Sequence, residues 1–129
     1  MIPYKIYYDQ KAEKLRIALP EGLSLVEEYL EVEVISELSK KTILDRIKKV
    51  NSGVEEVSDG MGNLYSSEIR KNVTRIYNSY VEAELKEGID TGEECESFIE
   101  TKLLADLVSI WIDARIEFRK QRSATDNSH

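Results

Sequence analysis

Residues 63–80, NLYSSEIRKNVTRIYNSY, constrain the fold most, because they alternate with a period of two on either side of a short polar break. The pattern predicts one strand over about 63–69 and a second over about 73–80. If Lys71 and Asn72 form a two-residue loop, Glu68 faces Arg75 and Ser67 faces Ile76, and the first is a favourable cross-strand pair. That register places Tyr65, Ile69 and Ile76 on one face, the expected core face. Lys-Asn is a weaker turn dipeptide than Asn-Gly. A three-residue loop with Asn72 left-handed is the alternative, and it would flip the faces of the second strand.

Helical periods lie on both sides of this hairpin. Leu23, Val26, Leu30, Val34 and Leu38 recur at spacings of three and four, predicting a helix over about 22–38. Within it, LEVEVI (30–35) alternates like a strand. Ser39 is the expected cap of a second helix, with Ile43, Leu44, Ile47 and Val50 as its apolar face and Asn51–Gly53 as its end. Leu103, Leu104, Leu107, Val108, Trp111, Ala114 and Phe118 form a broad stripe, so a last helix is expected over about 101–121 with Thr101 as N-cap. Nearer the start, Tyr4, Ile6 and Tyr8, then Leu15, Ile17 and Leu19, alternate around the polar turn DQKAEK and predict another hairpin. DGMG (59–62) reads as a turn, and ESFI (96–99) as either a last strand or the start of the helix.

The expectation is an α+β fold: a mostly antiparallel sheet from two hairpins, with helices packed on one face. A chain of 129 residues fits one domain, here 1–122, followed by a polar tail over 123–129 that frays. Hydrophobic residues make up 41% and charged residues 33%, a globular rather than a disordered composition. The single cysteine, Cys95, forbids an internal disulfide and fits a reducing compartment. The N-terminus lacks the basic and apolar regions of a secretory signal, and no apolar run approaches a membrane span. The protein reads as cytoplasmic, with no membrane partner.

Catalytic equipment is sparse. His129 is the only histidine and the last residue, a poor place for a general base. Cys95 lies between Glu94 and Glu96, whose charges favour the thiol over the reactive thiolate. Zinc lacks its usual ligands, and GIDTGEECE (88–96) lacks the spacing of a calcium loop, so no metal, cofactor or catalytic residue is expected. A net charge of −7 disfavours nucleic acid and favours a basic protein partner.

The order of elements resembles immunity proteins of bacterial contact-dependent growth inhibition systems. The residues carrying the likeness are Gly62, Asn63 and Tyr65 in one strand, Val73, Ile76 and Asn78 in the next, then Ile99, Leu103, Leu104, Leu107 and Trp111. The resemblance covers about the second half of the chain. It implies a non-enzymatic inhibitor that binds a cognate toxin, most simply a nuclease with a basic cleft. The expected partner-binding residues are Tyr77 and Tyr80 on the hairpin with Glu82, Glu84, Glu87, Asp90, Glu93 and Glu94 in the acidic connector after it. Glu27, Glu28 and Glu31 on the first helix offer a second acidic surface. An adaptor or regulatory subunit with another protein partner is the rival reading, and a carboxylate-metal hydrolase the enzymatic one.

Overall fold

The computed structural model describes residues 1–127, with side chains through 123. The chain runs β1 (Lys5–Asp9), β2 (Lys14–Ala18), α1 (Ser24–Glu33), α2 (Glu37–Asn51), β3 (Val57–Gly60), β4 (Tyr65–Arg70), β5 (Val73–Asn78), α3 (Ser79–Lys86), β6 (Glu96–Glu100) and α4 (Thr101–Asn127). The fold is α+β and its strand pairs are antiparallel, as expected. The two hairpins lie in separate sheets: β1–β2 alone, and β3–β4–β5–β6 in that order. What holds β2 apart is its outer edge. Its Ile17 N–H donates to Glu31 of α1 at 3.0 Å, and Leu19 N–H just beyond it donates to Glu27 at 2.6 Å. Helix carboxylates occupy the positions a further strand would take.

The central hairpin takes the two-residue loop. Glu68 opposes Arg75, Ser67 opposes Ile76, and Ile69 and Ile76 are fully buried on the core face. ESFI resolves as a strand: β6 pairs with β5, turning Ser97 and Ile99 inward and Phe98 outward. Two boundaries differ from expectation. β5 ends at Asn78 because the Asn78 carboxamide oxygen accepts from the N–H groups of Tyr80 (3.0 Å) and Val81 (3.1 Å). That cap opens α3 where a strand end was expected, so Tyr80 and the start of the connector are helical. Asp59 and Gly60, expected in a turn, belong to β3, which pairs with β4 over Ser67–Arg70.

The expected helix over 22–38 breaks in the middle. α1 stops at Glu33, and Ser36, in an extended conformation, accepts from Ser39 N–H at 3.2 Å as the cap of α2. Ser39 is therefore the third residue of the helix rather than its cap. The expected stripe holds as far as Val34, which points into the core fully buried; beyond the break Ile35 turns outward at 49% exposure and Leu38, expected on the same stripe, is 72% exposed. Outside the helix, the Val34 carbonyl accepts the indole N–H of Trp111 at 3.0 Å.

α4 closes the core with Leu104, Leu107, Val108, Trp111 and Ile112, which join Leu25, Val26 and Leu30 of α1 and Ile43, Ile47 and Val50 of α2. Thr101 opens the helix, but its hydroxyl donates to the Arg70 carbonyl at 2.6 Å and bonds Thr74 Oγ1 at 2.8 Å, fastening the helix to the β4–β5 end. α4 continues to Asn127, through most of the segment expected as a polar tail. His129 lies outside the described residues.

Two stability predictions follow from this core. Trp111→Ala leaves a large cavity and strips the Val34 carbonyl of its partner; a loss of about 3–5 kcal/mol in urea unfolding is expected, and a loss below about 1 kcal/mol would contradict the packing. Burial raises the pKa of Tyr29; burial and then the Glu28 hydrogen bond raise that of Tyr65. Both phenols thus ionise at higher pH in the fold than in the unfolded chain, whose value is near 10. Their stabilising effect is complete below that pH and declines above it as the unfolded chain loses its protons first. Alkaline unfolding curves of a Tyr29→Phe, Tyr65→Phe double variant should be flatter than wild type.

Candidate functional site

The pleat of the four-stranded sheet sends alternate residues to opposite faces. One face lies under α1, α2 and α4. The other carries three cross-strand rows: Asp59, Glu68, Arg75 and Phe98; Val57, Arg70, Val73 and Glu100; and Ser66, Tyr77 and Glu96. α3 lies over one corner of it. There Ser79 Oγ and Ser66 Oγ share a hydrogen bond of 2.7 Å, and Ser66 and Val81 are buried.

Arg75 organises this face. Its Nη1 meets Glu68 at 2.9 Å, its Nη2 meets Glu82 of α3 at 2.8 Å, and its Nε binds Glu96 of β6. The guanidinium also lies 4.2 Å from the centre of the Tyr77 ring. A planar fork with donors on three sides can hold three carboxylates at once, as an ammonium could not in fixed geometry. Burial works to lower the Arg75 pKa, but Glu96 and Glu82 outweigh it and the net shift is upward. Three negative charges are thus fixed around one positive charge, and the surplus faces solvent.

The expected partner-binding residues are spread over the Arg75 cluster, α3, the connector and the α1 side. Tyr77 and Glu82 sit at the Arg75 cluster, Tyr77 half-buried and Glu82 ion-paired. Tyr80, 61% exposed, and Glu84 project from α3, while Glu87 closes the helix through its backbone N–H. Asp90 accepts from Gly92 N–H at 2.9 Å in a turn of the connector. Glu93 and Glu94 lie on the α1 side: Glu94 accepts from the Ser24 hydroxyl, and both line a shallow pocket of about 350 Å³ with Glu28, Tyr65 and Asn78. The first-helix carboxylates are largely engaged. Glu27 and Glu31 bind β2 and its exit, and Glu28 accepts from the Tyr65 hydroxyl.

Sequence reading missed Arg75 as a hub and Phe98 as an exposed aromatic. The Glu68–Arg75 pair was legible from register, but Glu82 and Glu96 reach Arg75 only because α3 forms and β6 pairs with β5. Phe98 became legible only once ESFI was a strand.

A larger cleft of about 520 Å³ lies between α2 and the β3–β4 connection. It explains the glycines of DGMGN. Glu33, the last residue of α1, accepts from the N–H groups of Asn63 (2.9 Å), Leu64 (2.9 Å) and Tyr65 (3.0 Å). A Cβ at Gly62 would fall 2.4 Å from the Tyr65 carbonyl oxygen and 2.5 Å from the Glu33 carboxylate. Arg46 of α2 donates to Ser58 Oγ (2.9 Å), Ser58 O (2.7 Å), Ser67 Oγ (2.9 Å) and Ser67 O (3.1 Å), and a Cβ at Gly60 would meet its guanidinium at 2.4 Å. These side chains staple helices to strands, a structural use of the glycine-rich stretch.

Cys95 is half-buried, and burial, followed by Glu82 and Glu96, raises its pKa against the opposing pull of Arg75 and Lys86. The thiol form therefore dominates at neutral pH. Among the described residues, no three His, Cys, Asp or Glu side chains converge as metal ligands. No helix among them is long and apolar enough to cross a membrane.

Arg75→Ala should place Glu68, Glu82 and Glu96 in uncompensated proximity and release α3 from the sheet. A half-buried network of this kind contributes about 1–3 kcal/mol, between the exposed and buried extremes. Faster amide exchange in α3 than in α4 should accompany the loss; uniform destabilisation would argue against a local role.

No protein-family model matches the chain, and no solved structure matches it significantly. A curated protein of Bacillus cereus named "Immunity protein" is 36% identical over 110 residues, covering 85% of this chain and 86% of that one. Similarity of that depth along nearly the whole of both chains shows that this chain belongs to the immunity protein family.

Proposed function

We propose that the protein neutralises a cognate toxin by stoichiometric binding, performs no reaction of its own, and acts in the cytoplasm of the cell that makes it. Its place among immunity proteins supports the class of function. The observation that carries the mechanism is the Arg75 cluster, a set of carboxylates held rigid on an open sheet face. The toxin is a basic domain, most simply a nuclease of a contact-dependent growth inhibition system. A nuclease must gather phosphates with lysine and arginine, and an acidic protein competes for that same surface.

Binding requires no cofactor. Charge on both surfaces accelerates encounter, and fixed charge placement rejects wrong partners. In this reading Tyr77 and Tyr80 supply contact area at low entropic cost. Glu82, Glu84, Glu87, Asp90, Glu93 and Glu94 supply the long-range field.

The test first expresses the proteins encoded beside this gene and takes as the toxin the one whose growth arrest this protein relieves. Neutralising Glu84, Glu87, Asp90 and Glu93 to their amides spares Glu82 and Glu94, which bind other elements of the fold, and Asp90→Asn keeps the oxygen that accepts from Gly92 N–H. Association should slow by roughly tenfold at low salt and its salt dependence should flatten, with the melting temperature little changed. An unchanged rate and salt slope would remove the connector from the interface.

A further inference from the structure

The open face of the four-stranded sheet carries more than charge. Phe98 is 55% exposed and Val73 is 40% exposed. The register makes them diagonal neighbours on β6 and β5, since Val73 opposes Glu100 and Phe98 opposes Arg75. α3 reaches the opposite corner, over Ser66 and Tyr77, and leaves this apolar pair uncovered. Single exposed apolar residues are ordinary on protein surfaces. An adjacent aromatic and β-branched pair on the edge strand and its neighbour, with Glu96 and Glu100 on either side of Phe98 along β6 and Arg75 opposite it, is a different arrangement.

We infer that this face, with Phe98 as its apolar anchor and the Arg75-held carboxylates as its rim, is the surface that docks the toxin. The inference rests on the immunity reading above and names the surface through which it operates. Its occupant is a basic protein domain that presents an apolar pocket bordered by arginine or lysine. Charge complementarity selects that partner. Asp59, Glu68, Glu82, Glu96 and Glu100 stand on or over this face against Arg70 and Arg75. Glu68, Glu82 and Glu96 each give one carboxylate oxygen to Arg75 and keep the second for a donor from outside.

Two physical features suit the surface to tight binding. The carboxylates are already ordered by Arg75, so docking loses little side-chain freedom at them. An exposed aromatic flanked by charged groups has the composition of an interface hot spot, in which the anchor controls dissociation and the rim controls encounter. The acidic connector then contributes mainly to association rate, whereas Phe98 determines how long the complex lasts.

The experiment measures binding of the toxin domain identified by that screen to wild type and to Phe98→Asp, Val73→Lys and Leu38→Asp. Leu38, 72% exposed on α2, is the control for an exposed apolar residue elsewhere. Phe98→Asp and Val73→Lys should each weaken binding by about 30-fold or more, chiefly through faster dissociation, while Leu38→Asp stays within about twofold. Thermal melts verify that each variant is folded, and two independent substitutions on the face guard against loss of either one. If wild type binds and both face variants bind equally well, the docking surface is overturned while the immunity reading stands. If the screen yields no toxin that wild type binds and neutralises, the immunity reading itself fails and this inference falls with it.

Discussion

The hydrogen bond from the Trp111 indole to the Val34 carbonyl joins the largest core side chain to the one point where the helical layer breaks. An intact helix over 22–38 would satisfy that carbonyl internally and carry α2 onward along the axis of α1. Because the chain extends at Val34 and restarts at Ser36, α2 can turn back over the sheet and against α4. The break also leaves Glu33 at a helix end, where its carboxylate reaches three successive backbone N–H groups at the entry to β4. Arg46, one helix later, then fastens β3 to β4. The edge of the sheet is therefore set by side chains from the helices on either side of one break.

The same packing fixes which surface is available to a partner. With α1, α2 and α4 on one face, the core absorbs Ile69, Ile76 and Ile99, and the alternate residues must face outward. Many of the acidic side chains one might count as free are bound: Glu27 and Glu31 at the β2 edge, Glu33 at β4, Glu28 at Tyr65. What remains ordered and outward-facing is the Arg75 cluster. The formal charge of −7 is thus less informative than its distribution.

Legibility in the sequence followed the range of the determining interaction. The central hairpin was readable because a two-residue loop and a period of two fix register locally; Glu68 opposite Arg75 and the inward Ile69 and Ile76 came directly from it. Trp111 was readable from the stripe of α4. The break at Val34 was signalled only by the strand-like alternation of LEVEVI, because the helical spacing of Leu30, Val34 and Leu38 runs through the same residues. α3 was missed because Asn78 continues the strand pattern while its carboxamide caps a helix. β3 has a single large apolar residue, Val57, and depends on Arg46, a side chain from another element. The candidate surface was half legible: Tyr77 and Glu82 were named, whereas Phe98 and Glu96 needed the pairing of β5 with β6.

Hydroxyl-radical footprinting of the complex with the cognate toxin domain probes the docking face most directly, because it reads individual side chains without substitution. Phe98 lies on the open sheet face, and Met61, 85% exposed beside the α2 cleft, lies on the helix side and serves as an internal reference. Docking on the sheet face predicts that Phe98 oxidation falls by about tenfold on complex formation while Met61 keeps its rate. Protection of Met61 with Phe98 still fully reactive would contradict it and place the toxin on the α2 side.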